Sequence, residues 1–418
     1  MKTLFIFLVI LVTLSLSAYA EEDSLKQEVE AMKATLGELR ATVTSQSRTI
    51  EAQEKRIKEL ERTNAKVPQA PAPMLFATTP RSSASTTSLS ALNPEIGVVG
   101  DVVASLSENS ADTEGNDRLS LRELELVFGH PVDPYSRFDA TISFSDSENP
   151  SLEEAYITHW GLPGGVKARL GRIRPKIGKA SSLHRDSLDT VDDPLVVQKY
   201  FGTDGLSRTA AELSAFLPLP WEAVTHELTA GIMEGGVGES ATLFGATRRR
   251  PSFYSHLKNF WDISDITNFE LGATHLVGSK DADSGYEVNA LGVDATLTHY
   301  VTPSNKLKIQ GEAYFQHRDE TDPTLGNNPL GFYTLVDYRL SPRFGVGGRF
   351  DYVELVDNPT TSPRDADTAY TGYVTLYQSE FTRWRAEYQH VEFAAGDNDE
   401  RVFLQGTVAI GVHKHQLQ

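Results

Sequence analysis

Six cations stand close together between positions 167 and 179: Lys167, Arg169, Arg172, Arg174, Lys176 and Lys179. On extended backbone, residues two apart share a face. Lys167 and Arg169 therefore oppose Val166, Ala168 and Leu170. Past Gly171 the phase is expected to slip by one, as at a bulge. That slip keeps Arg172, Arg174 and Lys176 on the cationic face and turns Ile173 and Ile177 to the other. Such a row can draw anions along a wall. It can equally serve structure, by pairing with acids and holding the next segment, which carries Asp186, Asp189, Asp192 and Asp193 with Arg185 and Lys199. The residues alone do not choose, and both duties can hold together. A second cluster, Arg248, Arg249 and Arg250, falls near the end of a loop expected at 235–251, where it would stand at a mouth or simply be solvated.

Other chemistries find no support. The absence of cysteine excludes a disulfide scaffold, a thiolate metal site and a Cys nucleophile. No G-x-S-x-G, H-E-x-x-H or Walker A pattern occurs. The eleven histidines are scattered, and His413 and His415, flanking Lys414, read as a solvated end rather than a metal site. No enzyme activity, cofactor or metal is expected. Acids outnumber bases 57 to 39, for a net charge of −18, which argues against nucleic acid as a partner.

The elements that must position the cations count as strands. From Pro94 onward the apolar period is two: Val402, Leu404, Gly406, Val408 and Ile410 alternate with Phe403, Gln405, Thr407 and Ala409, and Lys306 to Gln316 behaves likewise. Small or apolar residues on one face and polar ones on the other, over about ten residues, mark a transmembrane β-strand. Sixteen such segments are expected: 95–106, 118–129, 134–145, 152–160, 165–178, 208–217, 222–234 and 252–261, then 267–278, 286–300, 306–316, 330–340, 344–356, 368–378, 383–394 and 401–413. Short turns alternate with longer loops rich in Asp, Asn, Gly and Ser, and both ends of the array fall on the short-turn side. A soluble β-sandwich also alternates but gives no reason for that rhythm. The fold class is thus all-β, a 16-stranded antiparallel transmembrane barrel, wide enough to keep water inside. Hydrocarbon would reject the cation row, so it must face that water. The loop at 179–207 contains Pro194-Leu195-Val196-Val197 and Tyr200-Phe201; it is expected to fold inward and narrow the lumen, with its aspartates as constriction-loop acids. Ten acids are expected on the inner face, among them Asp101, Glu123, Glu154, Glu212, Asp294, Glu312 and Asp351, and they compete with any anion selectivity.

Upstream, Lys2, the apolar run Leu4 to Leu16 and Ser17-Ala18-Tyr19-Ala20 read as a cleaved signal peptide, 1–20. Apolar steps of four and three from Leu25 to Leu60 give an a/d register for about five heptads. A periplasmic α-helical coiled coil at 24–63 is expected, which implies association of chains; dimer or trimer stays open. A Pro- and Ser-rich linker covers 64–93, and the barrel domain 94–418.

With signal peptide, heptads, Pro/Ala linker and sixteen strands together, the chain resembles outer-membrane porins of the phosphate-selective O/P type. Local carriers are Leu119-Ser120-Leu121-Arg122-Glu123-Leu124-Glu125-Leu126 and Leu170-Gly171-Arg172-Ile173-Arg174-Pro175-Lys176-Ile177-Gly178. The second resembles that family's Gly-x-aromatic-Lys-x-Pro-Phe-Gly stretch, with Ile173 and Ile177 in place of aromatics and the proline one residue early. The chain also lacks a terminal aromatic. The resemblance implies a homotrimer in the outer membrane of a Gram-negative-type bacterium. Its expected work is passive diffusion of small hydrophilic solutes, with an anion preference (phosphate or dicarboxylate) as a further expectation. In the alternative, the coiled coil contacts the cell wall as an envelope tether and the barrel is its anchor.

Overall fold

The computed structural model describes residues 94–411, apart from 109–117, 147–148, 222, 238–241, 247–249, 281–284, 320–327 and 357–360. The signal peptide, the heptad segment, the linker and the His413–His415 tail lie outside the described residues.

Sixteen antiparallel strands close into a barrel in sequence order. They are β1 (Glu95–Ser107), β2 (Arg118–Asp133), β3 (Ser136–Phe144), β4 (Ser151–His159), β5 (Lys167–Ile173), β6 (Arg208–Phe216), β7 (Val224–Met233) and β8 (Ser252–Ser264). The second half comprises β9 (Thr267–Gly278), β10 (Val288–Thr302), β11 (Asn305–Arg318), β12 (Leu330–Arg339), β13 (Phe344–Val353), β14 (Asp367–Ser379), β15 (Thr382–Glu392) and β16 (Asn398–Gly411). Closure runs from Gly97 opposite Gly411 to Ser107 opposite Arg401, so no edge strand is left with unpaired amides.

Alternation decides which side is wet. On β1 the outward set is Ile96, Val98, Gly100, Val102, Ala104 and Leu106, while Val99, Asp101 and Val103 are buried inward. On β16 Val402, Leu404, Val408 and Ile410 are exposed, and Gln405 and Thr407 are buried. Exposed aromatics form two bands: Tyr135, Trp160, Trp221, Phe344, Phe381 and Trp384 toward the short turns, and Phe253, Tyr286, Phe315, Tyr370 and Tyr388 toward the long loops. Such girdles mark the two interfaces of a membrane barrel.

Two expectations need correction. The fifth strand ends at Ile173 rather than 178, so Arg174, Lys176 and Lys179 lie beyond it. The short/long rhythm is also looser than the sequence suggests. The connections 160–166 and 217–223, on the short-turn side, are longer than 393–397 on the other.

Candidate functional site

The inner wall and the segment 174–207 form one structure. After β5 the chain leaves the wall, makes 3-10 turns at Ala180–Ser182 and Arg185–Ser187, and then a short helix, α1 (Leu195–Phe201). Its apolar residues explain why it folds inward. Leu195, Val196, Val197, Tyr200 and Phe201 are buried against inward residues of the wall, including Tyr254, Tyr314, Tyr333 and Leu335. The Phe201 ring meets Tyr314 edge-on at 4.9 Å. Each such side chain removed from water contributes about 1.5–3 kcal/mol. Ile173 and Ile177, expected to face lipid, are both 0% exposed and belong to this interior cluster. Hydrophobicity is satisfied by the loop core as well as by the bilayer, and alternation alone cannot tell the two apart.

Four members of the cation row are committed to ion pairs with wall glutamates. Arg169 pairs with Glu212 at 2.7 Å, Arg174 with Glu153 at 2.8 Å, Lys176 with Glu227 at 3.4 Å and Lys179 with Glu270 at 2.7 Å. The backbone N–H groups of Lys179 and Ala180 donate to Glu312 at 3.1 and 3.0 Å, fixing this turn to β11. Arg172 lines a cavity described below. Half-buried Lys167 makes no ion pair among the described residues. The expected slip at Gly171 takes another form. Pairing continues without a shift on both sides of the strand, but Gly171 has φ 137°, a conformation that favours glycine.

Two of the loop acids pair with wall cations outside the ladder. Asp189 pairs with Lys308 of β11 at 2.5 Å and Asp192 with Arg122 of β2 at 3.0 Å. Asp186 and Asp193 are buried, and their backbone carbonyls accept from Arg383 and Arg349 respectively. The exchange is reciprocal: wall glutamates hold the row, and wall cations hold the loop. Sequence reading missed the residues that do most of this. Arg349, Arg383 and Arg385 donate to the carbonyls of Asp192, Asp186 and Thr190 at 2.7, 2.7 and 2.8 Å. Glu387 accepts from the Val191 N–H at 2.8 Å, and Asp351 from the Leu195 N–H at 3.0 Å. Arg349 and Asp351 pair at 2.7 Å with neither side chain exposed.

Two bulges supply further tethers. Between β1 and β2, Asp101 faces Glu123 and Val102 faces Leu121, which leaves Arg122 as the extra residue. Between β3 and β4, Thr141 faces Glu154 and Ile142 faces Leu152, which leaves Glu153. A bulge re-aims a side chain, and both extra residues reach the loop. Adjacent charges, Arg122-Glu123 and Glu153-Glu154, are the sequence signal: strict alternation would send one of each pair into lipid.

His184 sits where these tethers meet, 3.0 Å from both Glu153 and Glu154 and 3.5 Å from Glu125. Burial and Arg174 push its pKa down, but the hydrogen bonds to Glu153 and Glu154 and the charge of Glu125 prevail and hold it up at about 10. Glu125, Glu153 and His184 converge closely enough to suggest a metal site. A guanidinium 2.8 Å from Glu153, and the Glu154 carboxylate 3.0 Å from the other imidazole nitrogen, give the set the composition of an ion-pair cluster. For Asp189, burial is outweighed by the Lys308 ammonium, which lowers its pKa. Asp193 goes the other way, pushed up to about 6 by burial against the opposing pull of Arg174 and Arg185.

The loop leaves water-sized space on either side of itself. Toward the long loops lie cavities of 160 and 250 Å³ that share Arg122 and Arg185 in their walls. Arg172, Arg174 and Arg208 also line the first, against Glu123 and Glu153. Toward the short turns lies a 290 Å³ cavity lined by Lys176, Lys179, Lys258, Glu227 and His256. Residues 242–246 of the next long connection also pack against the loop, the Leu243 N–H donating to the Tyr200 carbonyl at 3.0 Å. Arg250 at the end of that connection is exposed, while Arg248 and Arg249 lie outside the described residues.

No family model matches the chain. An uncharacterized protein of Aquifex aeolicus (strain VF5) is 24% identical over 327 residues, which cover 70% of this chain and 69% of that one. Among solved structures, Pseudomonas putida OprB superposes with a TM-score of 0.53 at 13% identity, covering 76% of this chain and 94% of that one. The anion-selective porin from Comamonas acidovorans gives 0.51 at 10% identity, covering 76% and 99%. The fold is therefore that of the outer-membrane porins.

Proposed function

We propose that this chain forms a water-filled channel for passive diffusion of small hydrophilic solutes across a Gram-negative-type outer membrane, with a preference for anions. One observation carries the reading: a closed barrel, apolar outside and charged within, holds its longest loop in its own lumen. A wall built that way has no use for its inward charges except to face water and a docked loop. Anion preference is supported by Arg122, Arg172, Arg174, Arg185 and Arg208 around the 160 Å³ cavity, where Glu123, Glu153 and Asp204 are the acids. The ladder cations then have two duties, holding the loop and biasing the field. Phosphate and dicarboxylates are both within this class. The heptad segment and the porin-like barrel support a homotrimer in contact with lipid, exported by a cleaved signal peptide.

Reversal potential across a salt gradient in planar bilayers is the test. Purified protein that inserts and conducts with chloride ahead of potassium is expected; insertion without current refutes the reading. The heptad register favours a second reading, an envelope tether with the barrel as anchor. Deleting residues 24–63 separates them, because a tether loses envelope integrity while permeability stays unchanged.

A further inference from the structure

We infer that the 250 Å³ cavity beside the inward loop is a binding site for a small organic carboxylate with an apolar or aromatic body, rather than for phosphate. The inference rests on the channel reading and names the solute class of its long-loop half.

The argument is the mixed chemistry of the cavity wall. Part of it is cationic: Arg118, Arg122, Arg185 and Arg401 present guanidinium groups. Asp146, Asp101 and Asp399 pair with Arg118, Arg122 and Arg401 at 2.8, 2.7 and 2.6 Å without lining the cavity, whereas Asp192, 3.0 Å from Arg122, and Asp193 do line it, so that with Lys199 five cations face two acids. Guanidinium forks match a carboxylate in plane and in charge. Another part of the lining is apolar: Val103, Leu195, Val391, Phe393 and Phe403. Val103 and Phe403 form a buried cluster with Val191 of the loop, and Phe393 packs on the main interior core. Arg401 lies over the Phe393 ring, 5.9 Å from its centroid, so the two chemistries adjoin.

A phosphate would use the cations and leave the apolar part of the wall wet. Inorganic anions gain nothing from a phenylalanine wall, whereas an apolar body laid against it leaves water at about 25 cal/mol per Å². A volume of 250 Å³ falls near the lower bound of about 300 Å³ for small-molecule sites, which limits the body to a single ring or a short chain.

Benzoate is the probe and phosphate the comparator, at equal ionic strength. Block of the single-channel current gives one apparent affinity for each, and equilibrium dialysis on detergent-solubilised full-length protein gives another that needs no conduction. Benzoate is expected to bind about tenfold tighter than phosphate, and Phe393→Ala to erase that advantage. Lipid-facing Leu404→Ala should leave it intact. Should Phe393→Ala fail to fold, Phe403→Leu provides the same comparison with a smaller loss. Equal or tighter phosphate binding, or a benzoate advantage that survives both wall substitutions, overturns the inference. Absence of ion current in protein that still prefers benzoate would instead overturn the channel reading.

Discussion

Arg349→Met should free the inward loop from β13. Arg349 forms the fully buried pair with Asp351 and donates to the carbonyls of Asp192 and Asp193. Methionine fills much of the same volume but donates nothing. Removing one partner of a buried ion pair costs about 3–5 kcal/mol, because the other charge stays behind unpaired. Asp351 would then be left in a site with no exposure. At about 1.4 kcal/mol per decade, opening of the loop near residue 191 should rise by roughly two to three and a half orders of magnitude. Hydrogen exchange of the Val191 amide, which donates to Glu387, reads that opening directly. Arg349→Met/Asp351→Asn should recover part of the protection, since the stranded charge is gone. Unchanged exchange at Val191 in the single variant would refute the claim that wall arginines hold the loop.

Alkaline pH should loosen the same loop at its other attachment. With His184 raised from 6.5 to about 10, its contribution is complete below pH 6.5 and disappears as pH rises through 10. Protease protection of 180–190 should therefore decline progressively from about pH 6.5 to pH 10 and level off above that; protection that stays flat across this interval would contradict it. On the acid side, Asp193 is held at about 6, so lowering the pH from 7 to 5 discharges an acid in the wall of the 250 Å³ cavity. The chloride-to-potassium permeability ratio should rise over that interval, and Asp193→Asn should remove the step. Gly171→Ala forces a side chain into φ 137° at a cost of about 1–3 kcal/mol. Urea titration of the refolded barrel should show a lowered midpoint for that variant, and an unchanged midpoint would mean that the strand relaxes freely.

Period-two alternation made the wall legible, because a membrane barrel must send every second residue into lipid and so writes its register into composition. Sixteen strands could be counted, with ends mostly within a few residues. The fifth failed for a physical reason: Ile173 and Ile177 continue an apolar pattern across a boundary where the solvent changes from lipid to the packed loop. The inward fold of 174–207 was visible in Leu195, Val196, Val197, Tyr200 and Phe201, which no solvated loop requires. Its partners were not. Arg349, Arg383, Arg385 and Glu387 occupy ordinary inner-face positions, and only their facing strands, far apart in sequence, reveal which loop atoms they meet. Arg122 and Glu153 could have been flagged from their charged neighbours, since two consecutive charges in a membrane strand demand a bulge.

The account depends most on the segment 174–207 standing in the conducting path. The chain has no cysteine, so a single introduced thiol reports one position. Asp192→Cys, at the edge of the 250 Å³ cavity, should react with a charged thiol reagent added to the bath during recording and lower the single-channel conductance. Leu404→Cys, facing lipid, should not change it. Full conductance after complete labelling of Asp192→Cys would contradict the account.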